Sequence, residues 1–281
     1  MTTFTNKAAE ELKARLAIHG VFNVQIATLH STASKILIEN KCPVEFLGYD
    51  KLISCAEKVA SPCYQVLVDE AQDLDGDQWK LIQKLGKTIF AVGDVRQSIY
   101  GWRGADSKQF TAFVDSCQHD LLGESGLILM TTNRRSCAAI VELSNRIAYQ
   151  ATPSVALKCG GSVTTKQCVS EAVEHEQIIA FVKRHPDKSL VLTRNNDERL
   201  QLKKQLWIHG LVEQADVMTI HAAKCAEREN VVLRCGKRKF GEIDGAETVN
   251  EWYVRVTRAK TNLLITAVGG LPAAISQALE K

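Results

Sequence analysis

Short apolar runs recur along this sequence, each too brief for a helix and each followed by polar residues. They are YQVLV at 64–68, TIFAV at 88–92, LILM at 127–130, SLVLT at 189–193, NVVL at 230–233 and NLLITAV at 262–268. Stretches with helical spacing lie between them. AAEELKARL at 8–16 places Ala9, Leu12 and Leu16 on one face, and 137–149 and 196–207 read the same way. A strand that is apolar at successive positions has both of its faces buried. That environment arises in parallel sheets covered by helices on both sides. The expected fold class is therefore α/β with mainly parallel sheets. The 281 residues suffice for two domains of ordinary size. The stretch LLGESG at 121–126 separates two series of runs, so the domains are expected at 1–125 and 126–281. The Ser/Thr/Gly-rich stretch 151–170 reads as a loop or an irregular hairpin.

Composition removes several classes of function. The formal net charge is +3, which excludes a strongly basic tail but not a local basic groove. No stretch approaches 18 consecutive apolar residues, the length needed to span a bilayer, and the start MTTFTNKAAE has no hydrophobic signal core. The cysteines number nine and form no C-x-x-C pair. An odd count without metal spacing reads as reduced thiols, and a cytoplasmic protein is expected.

The residues just beyond each run carry the chemistry, because ligands of parallel sheets bind at the carboxyl ends of strands. After 64–68 come Asp69 and Glu70, then Asp73, Asp75 and Asp77. One carboxylate there suits Mg²⁺, and a neighbouring one suits orientation or deprotonation of water. A surface turn is the bland alternative. After 88–92 come Gly93, Asp94 and Gln97, then SIYGWRGA at 98–105 with Tyr100, Trp102 and Arg103. Glutamine orients water without carrying charge. Aromatics beside arginine in a glycine-bounded loop suit stacking on unpaired bases, although aromatics pack into cores as readily.

The blocks DEAQD and GDxxQSIYGWRGA resemble the UvrD/Rep-like superfamily 1 helicases, and further segments in order are similar to other motifs of that family. TTFTNKAAEELKARL at 2–16 resembles motif Ia, ATLHSTASKIL at 27–37 motif Ib, and TTNRRS at 131–136 the N-Y-R-S segment. LVLTRNNDERL at 190–200 resembles the next motif, VMTIHAAKCAERENVVL at 217–233 motif V, and EWYVRVTRAKTNLLI at 251–265 motif VI. The resemblance implies two RecA-like domains, with motifs Ia to III in the first and IV to VI in the second. It also implies ATP with Mg²⁺ in a cleft between them and single-stranded DNA across their tops. Carried over by position, Asp69 binds Mg²⁺, Glu70 activates water and Gln97 senses the γ-phosphate. Arg135 and Arg258 reach the same phosphate, and Arg134 and Glu227 belong to the nucleotide site. Phe4, Asn6, His30, Tyr100, Trp102, Arg103 and His221 fall on the DNA track.

The sequence departs from the family in places. It contains no G-x-x-x-x-G-K-[ST] loop, and its GKT at 86–88 has Leu81 where the first glycine belongs and precedes a strand. The first domain is therefore expected to lack its P-loop strand, with a partner chain or a preceding segment supplying that loop. Arg134 stands where the family usually has an adenine-stacking tyrosine, and Cys225 where it has glycine. The expected function is an ATP-dependent DNA helicase or translocase, incomplete at its beginning and inactive in hydrolysis as it stands. The alternative is a non-hydrolysing single-stranded-DNA-binding or regulatory protein derived from a helicase. A metal-dependent nuclease using the 69–77 acids leaves the arginines unexplained.

Overall fold

The computed structural model describes residues 1–3, 6–44, 47–62, 64–101, 104–120, 125–185, 187–224, 226–237 and 249–280. The chain divides into two compact units, Met1–Leu127 and Ile128–Lys281. The first contains β1 (Thr2–Thr3), α1 (Asn6–Ile18), β2 (Ala27–Thr28), α2 (Leu29–Glu39) and α3 (Tyr49–Val59). It continues with β3 (Tyr64–Val68), α4 (Gly76–Leu85), β4 (Gly86–Ala91) and α5 (Ser107–Gln118). The strands form one sheet in the order β2-β1-β3-β4, and every described pairing is parallel. Its core face is built by Val68 of β3 with Leu37 of α2, Ala56 of α3, and Trp79, Leu81 and Ile82 of α4. Helix starts are fixed locally. Thr28 caps α2, and Asp75 and Gln78 form a reciprocal capping box on α4. The GKT triplet enters β4 directly from the end of α4, which is not the strand-then-helix context of a phosphate loop.

The second unit contains β5 (Thr132–Cys137), α6 (Ala138–Ile147), β6 (Val155–Lys158), β7 (Ser162–Cys168), α7 (Glu171–Arg184) and β8 (Ser189–Thr193). It ends with α8 (Asn196–Ile208), β9 (Ala215–Thr219), β10 (Arg228–Lys237), α9 (Val249–Val256), β11 (Ala259–Val268) and α10 (Ala273–Glu280). The main sheet has the order β7-β11-β10-β8-β9, again parallel throughout, and β5 pairs with β6 beside it. Every residue of β8 is buried, as its unbroken apolar sequence requires. The architecture is thus α/β with two mainly parallel sheets.

Two sequence expectations fail here. LILM at 127–130 is not a strand; Ile128 and Met130 are 80% and 85% exposed, and pairing begins only at Thr132. Apolar composition without a neighbouring backbone to bond does not make a strand. The 151–170 stretch is not a hairpin either. β6 pairs with β5, and β7 adds to the main sheet alongside β11. Gly161, at φ +80°, makes that turn, and a side chain there would meet the Cys137 Cβ at 2.7 Å. Among the described residues, no helix is long and apolar enough to cross a membrane.

Candidate nucleotide and nucleic-acid sites

β3 ends at Val68, and the chain turns at once into its acids. The Asp69 amide donates to the Thr2 carbonyl at 3.2 Å, which holds the turn against β1. Glu70 adopts a left-handed conformation, φ 53° and ψ 44°, a state that costs a side-chain-bearing residue roughly 1–2 kcal/mol. Strain of this kind persists where the surroundings enforce it. The enforcing groups are visible. Glu70 N–H donates to Asp69 Oδ1 at 3.0 Å, and Ala71 N–H donates to the Val92 carbonyl at 2.9 Å.

Gln72, fully buried, joins this turn to the segment after β4. Its Nε2 donates to Glu70 Oε2 at 2.5 Å, while its Oε1 accepts from the Asp94 amide at 3.0 Å. Asp94 caps the short 3-10 turn Val95–Gln97 and takes a forked pair from Arg96, at 3.0 and 3.1 Å. Gln97 Nε2 reaches the second Asp94 oxygen at 3.3 Å. Gly93 is required, because a Cβ there would lie 2.6 Å from Gln72 Oε1 and 2.8 Å from the Phe110 ring. The structure therefore brings Asp69, Glu70 and Gln97 into one connected turn system. Burial first, and the neighbouring Glu70 charge second, push the Asp69 carboxyl above its ordinary pKa. Adjacent carboxylates with that history suit a divalent cation. Among the described residues there is no cluster of three or more metal-ligating side chains.

The second unit gathers cations around one carboxylate. Glu227 accepts from Arg135 Nε at 2.7 Å and from Lys260 Nζ at 2.8 Å. Burial works against its ionised form, but Lys260, Arg135 and Arg258 outweigh it and hold its pKa below the ordinary value. Asn133 Oδ1 fixes the backbone at Arg135, accepting from the amides of Arg135 and Ser136 at 3.0 and 2.9 Å. Arg134, one residue earlier, is exposed on β5. Arg258 differs from expectation. It is buried, and its guanidinium donates to the carbonyls of Val254 and Lys224 and to Thr257 Oγ1. In this structure it ties the end of α9 to the turn that leads to Glu227.

Of the residues expected on the DNA track, Phe4, Trp102 and Arg103 lie outside the described residues, as does Cys225. Asn6 begins α1 directly after β1, and its side chain is likewise outside the description. His30 sits in the first turn of α2 after β2, and Tyr100 follows the 3-10 turn beyond β4. His221 follows β9 in the second unit. Each thus stands beyond the carboxyl end of a strand, where parallel sheets bind ligands. Gln72, Arg96 and Lys260 were missed in the sequence. Gln72 had a signal, its place inside DEAQD, but a neutral amide between acids reads as surface until its burial is seen.

Fold and site together define a two-unit α/β protein with acids and amides beyond the strand ends of its first sheet. Comparison with known proteins agrees. Residues 49–118 match the model of the UvrD/REP helicase N-terminal domain. A probable DNA helicase of Mycoplasma pneumoniae is 29% identical over 233 residues, 73% of this chain and 44% of that protein. DNA helicase IV of Escherichia coli is 30% identical over 62% of this chain and 26% of its own length. The ATP-dependent DNA helicase PcrA of Staphylococcus aureus is 31% identical over 43% of this chain and 17% of its own. These likenesses support a UvrD/Rep-like, superfamily 1 reading of the chain. The chain spans less than half the length of these curated relatives.

Proposed function

We propose that the chain is the two-domain core of an ATP-dependent DNA helicase or translocase acting on single-stranded DNA in the cytoplasm. The observation that carries this reading is the Gln72 bridge, which links the strained Glu70 to the Asp94–Gln97 turn. A turn built only for folding has no need of a carboxylate held in a costly backbone state. Asp69 is the residue that would hold Mg²⁺, which on binding neutralises charge on phosphate oxygens. Gln72 engages Glu70 Oε2, so Oε1 is the oxygen that takes a proton from water. Gln97 orients the attacked phosphate group. In the second unit Arg135 offsets phosphate charge, with Glu227 holding its guanidinium in place, and Arg258 positions the turn carrying Glu227. Arg134 offers a planar guanidinium to the adenine base. Asn6, His30, Tyr100, Trp102, Arg103, His221 and Phe4 contact the DNA by stacking and by phosphate hydrogen bonds. The free thiols of the described cysteines accord with a reducing compartment.

A second reading, single-stranded-DNA binding without hydrolysis, is favoured by one sequence fact: these 281 residues contain no G-x-x-x-x-G-K-[ST] loop. Steady-state ATPase assays with an oligonucleotide separate the two. Little turnover is expected from the 281 residues alone, and turnover should appear when a polypeptide supplying the loop is added. Robust hydrolysis by the chain alone, abolished by Glu70→Gln, would show that phosphates are held by groups other than such a loop. Both readings require DNA binding. Trp102→Ala should weaken oligonucleotide binding roughly ten- to a hundredfold in fluorescence anisotropy, since one stacked base contributes about 1–3 kcal/mol. Equal affinity in a folded variant removes Trp102 from the track.

A further inference from the structure

Helix α8 is apolar on two sides. Leu202 and Leu206 are buried against the sheet, as a surface helix requires. On the opposite side Leu200, Trp207 and Ile208 are 59%, 71% and 55% exposed. Leu200 and Trp207 are seven residues apart, so they align along the helix two turns from each other. Exposed Lys203 and Lys204 fall on either side of that line. The helix end is also closed by backbone hydrogen bonds. Gly210, at φ 68°, closes it, with Leu211 N–H donating to the Leu206 carbonyl at 2.8 Å and Gly210 N–H to the Trp207 carbonyl at 3.0 Å. An exposed tryptophan at a hydrogen-bonded helix end is the residue type most enriched among interface anchors, and the two lysines give its surroundings a positive charge.

Position argues against nucleic acid. The N-cap of α8, Asn195, stands just past the carboxyl end of β8, on the ligand-binding side of the sheet. Trp207 lies roughly 18 Å further along the helix, at 1.5 Å per residue, towards the opposite end of the unit. We propose that this stripe docks a partner protein through an acidic amphipathic helix. The partner's apolar ridge would cover Leu200 and Trp207, and its flanking carboxylates would meet Lys203 and Lys204. The inference is independent of any nucleotide or DNA reading.

The test uses the full chain and a fluorescent helical peptide of about three heptads, with Leu at a and d and Glu at e and g. A version with Lys at e and g and a single-stranded oligonucleotide serve as comparisons. The acidic peptide should bind, and Trp207→Ala should raise its Kd on the order of tenfold or more. Lys203→Glu with Lys204→Glu should invert the preference towards the basic peptide. Circular dichroism should be unchanged by Trp207→Ala, because the side chain is exposed; if that variant fails to fold, Leu200→Gln decides the same question. Equal binding of both peptides, or of neither, overturns the proposal. So does a Trp207→Ala variant that loses oligonucleotide affinity, which would assign the stripe to nucleic acid. Concentration-dependent dimerisation abolished by Trp207→Ala would overturn it too, by assigning the stripe to a second copy.

Discussion

In the first unit the fully buried side chain that bridges the turns is neutral. Gln72 satisfies Glu70 with one end and the Asp94 amide with the other, and no cation is described on the Asp69 and Glu70 carboxylates. In the second unit the buried centre is ionic. Arg234 Nε meets Glu174 Oε2 at 2.8 Å with both side chains essentially without exposure, and Thr266 donates to the other Glu174 oxygen at 3.0 Å. Glu198 approaches Arg234 at 3.5 Å and is gripped by Arg194 at 2.7 and 3.0 Å. The first arrangement leaves negative charge available at a strand end. The second cancels its charge internally and serves as a frame. A site that must take up a cation and then release product is served by the first kind. A sheet that must keep its shape is served by the second.

The sharpest way to break this contrast is to remove one member of the buried pair. Arg234→Met leaves Glu174 buried without its cation, and losing one partner of such a pair typically costs about 3–5 kcal/mol. Urea unfolding followed by circular dichroism should show that loss. The double variant Arg234→Met with Glu174→Leu should recover most of it, because well-packed apolar pairs replace buried ion pairs at little expense in stability. A cost below about 1 kcal/mol for the single variant would mean that the pair is solvated, and the second unit would lose its status as a frame.

Gln72→Leu probes the other side. It strips partners from Glu70 and from the Asp94 amide at once, at about 2–3 kcal/mol for buried groups left unsatisfied. The loss should be confined to the first unit, read as reduced hydrogen-exchange protection in β3 and β4 with β8 and β10 unchanged. Spread of the loss to β8 would show that the two centres are energetically coupled.

These two centres also differ in how far they could be read in advance. The strands and the acids of the first site follow from local pattern, since an apolar run ending in carboxylates at a strand terminus is a short-range signal. The strand 64–68 and the residues Asp69, Glu70 and Gln97 were legible for that reason. The role of Gln72 depends on a partner 22 residues away, and its burial has no local signature. The Arg234–Glu174 pair joins residues 60 apart. Arg234 sits in an apolar strand where a charge reads as an interruption, so only the folded register explains it. The 127–130 run failed for the converse reason, because local composition was right and the pairing partner was missing. Where Arg258 points depended on the backbone carbonyls it meets, which no spacing rule encodes.

A smaller effect separates the surface charges of the second unit from its frame. Asp216 accepts from Lys188 at 2.9 Å and from Arg228 at 2.8 Å. Burial opposes its ionised form, yet these two partners hold its pKa below the ordinary value. A carboxylate depressed in the folded state contributes stability that is present above its unfolded pKa of about 3.9 and is lost as pH falls through the folded value. Asp216→Asn should therefore cost about 0.5–1 kcal/mol at pH 7, the range of partly exposed pairs, and nothing at a pH where Asp216 is already protonated. A cost that persists at low pH would mean that packing, not charge, is what the side chain supplies.

The smallest effect tests whether the first site is built for chemistry at the expense of stability. Asp69 is raised mainly by burial and next by the Glu70 charge, so its ionised form is disfavoured in the folded state at neutral pH. Glu70→Gln removes only the second contribution and leaves the left-handed backbone as it is. The variant should be more stable than the parent by a few tenths of a kcal/mol at pH 7, as expected for one like-charge contact between partly exposed groups. The gain belongs to pH values above the folded pKa of Asp69, and it should vanish below the ordinary carboxylate range near 3.9, where Asp69 is protonated in either state. The Asp69 pKa, followed by carboxyl NMR, should fall towards its ordinary value without reaching it, because burial remains. A destabilised variant, or an Asp69 that does not move, would show that Glu70 is there to hold the turn. A variant that gains stability while losing any nucleotide-dependent activity would show that the turn keeps two repelling carboxylates together for what they do to a bound cation and water.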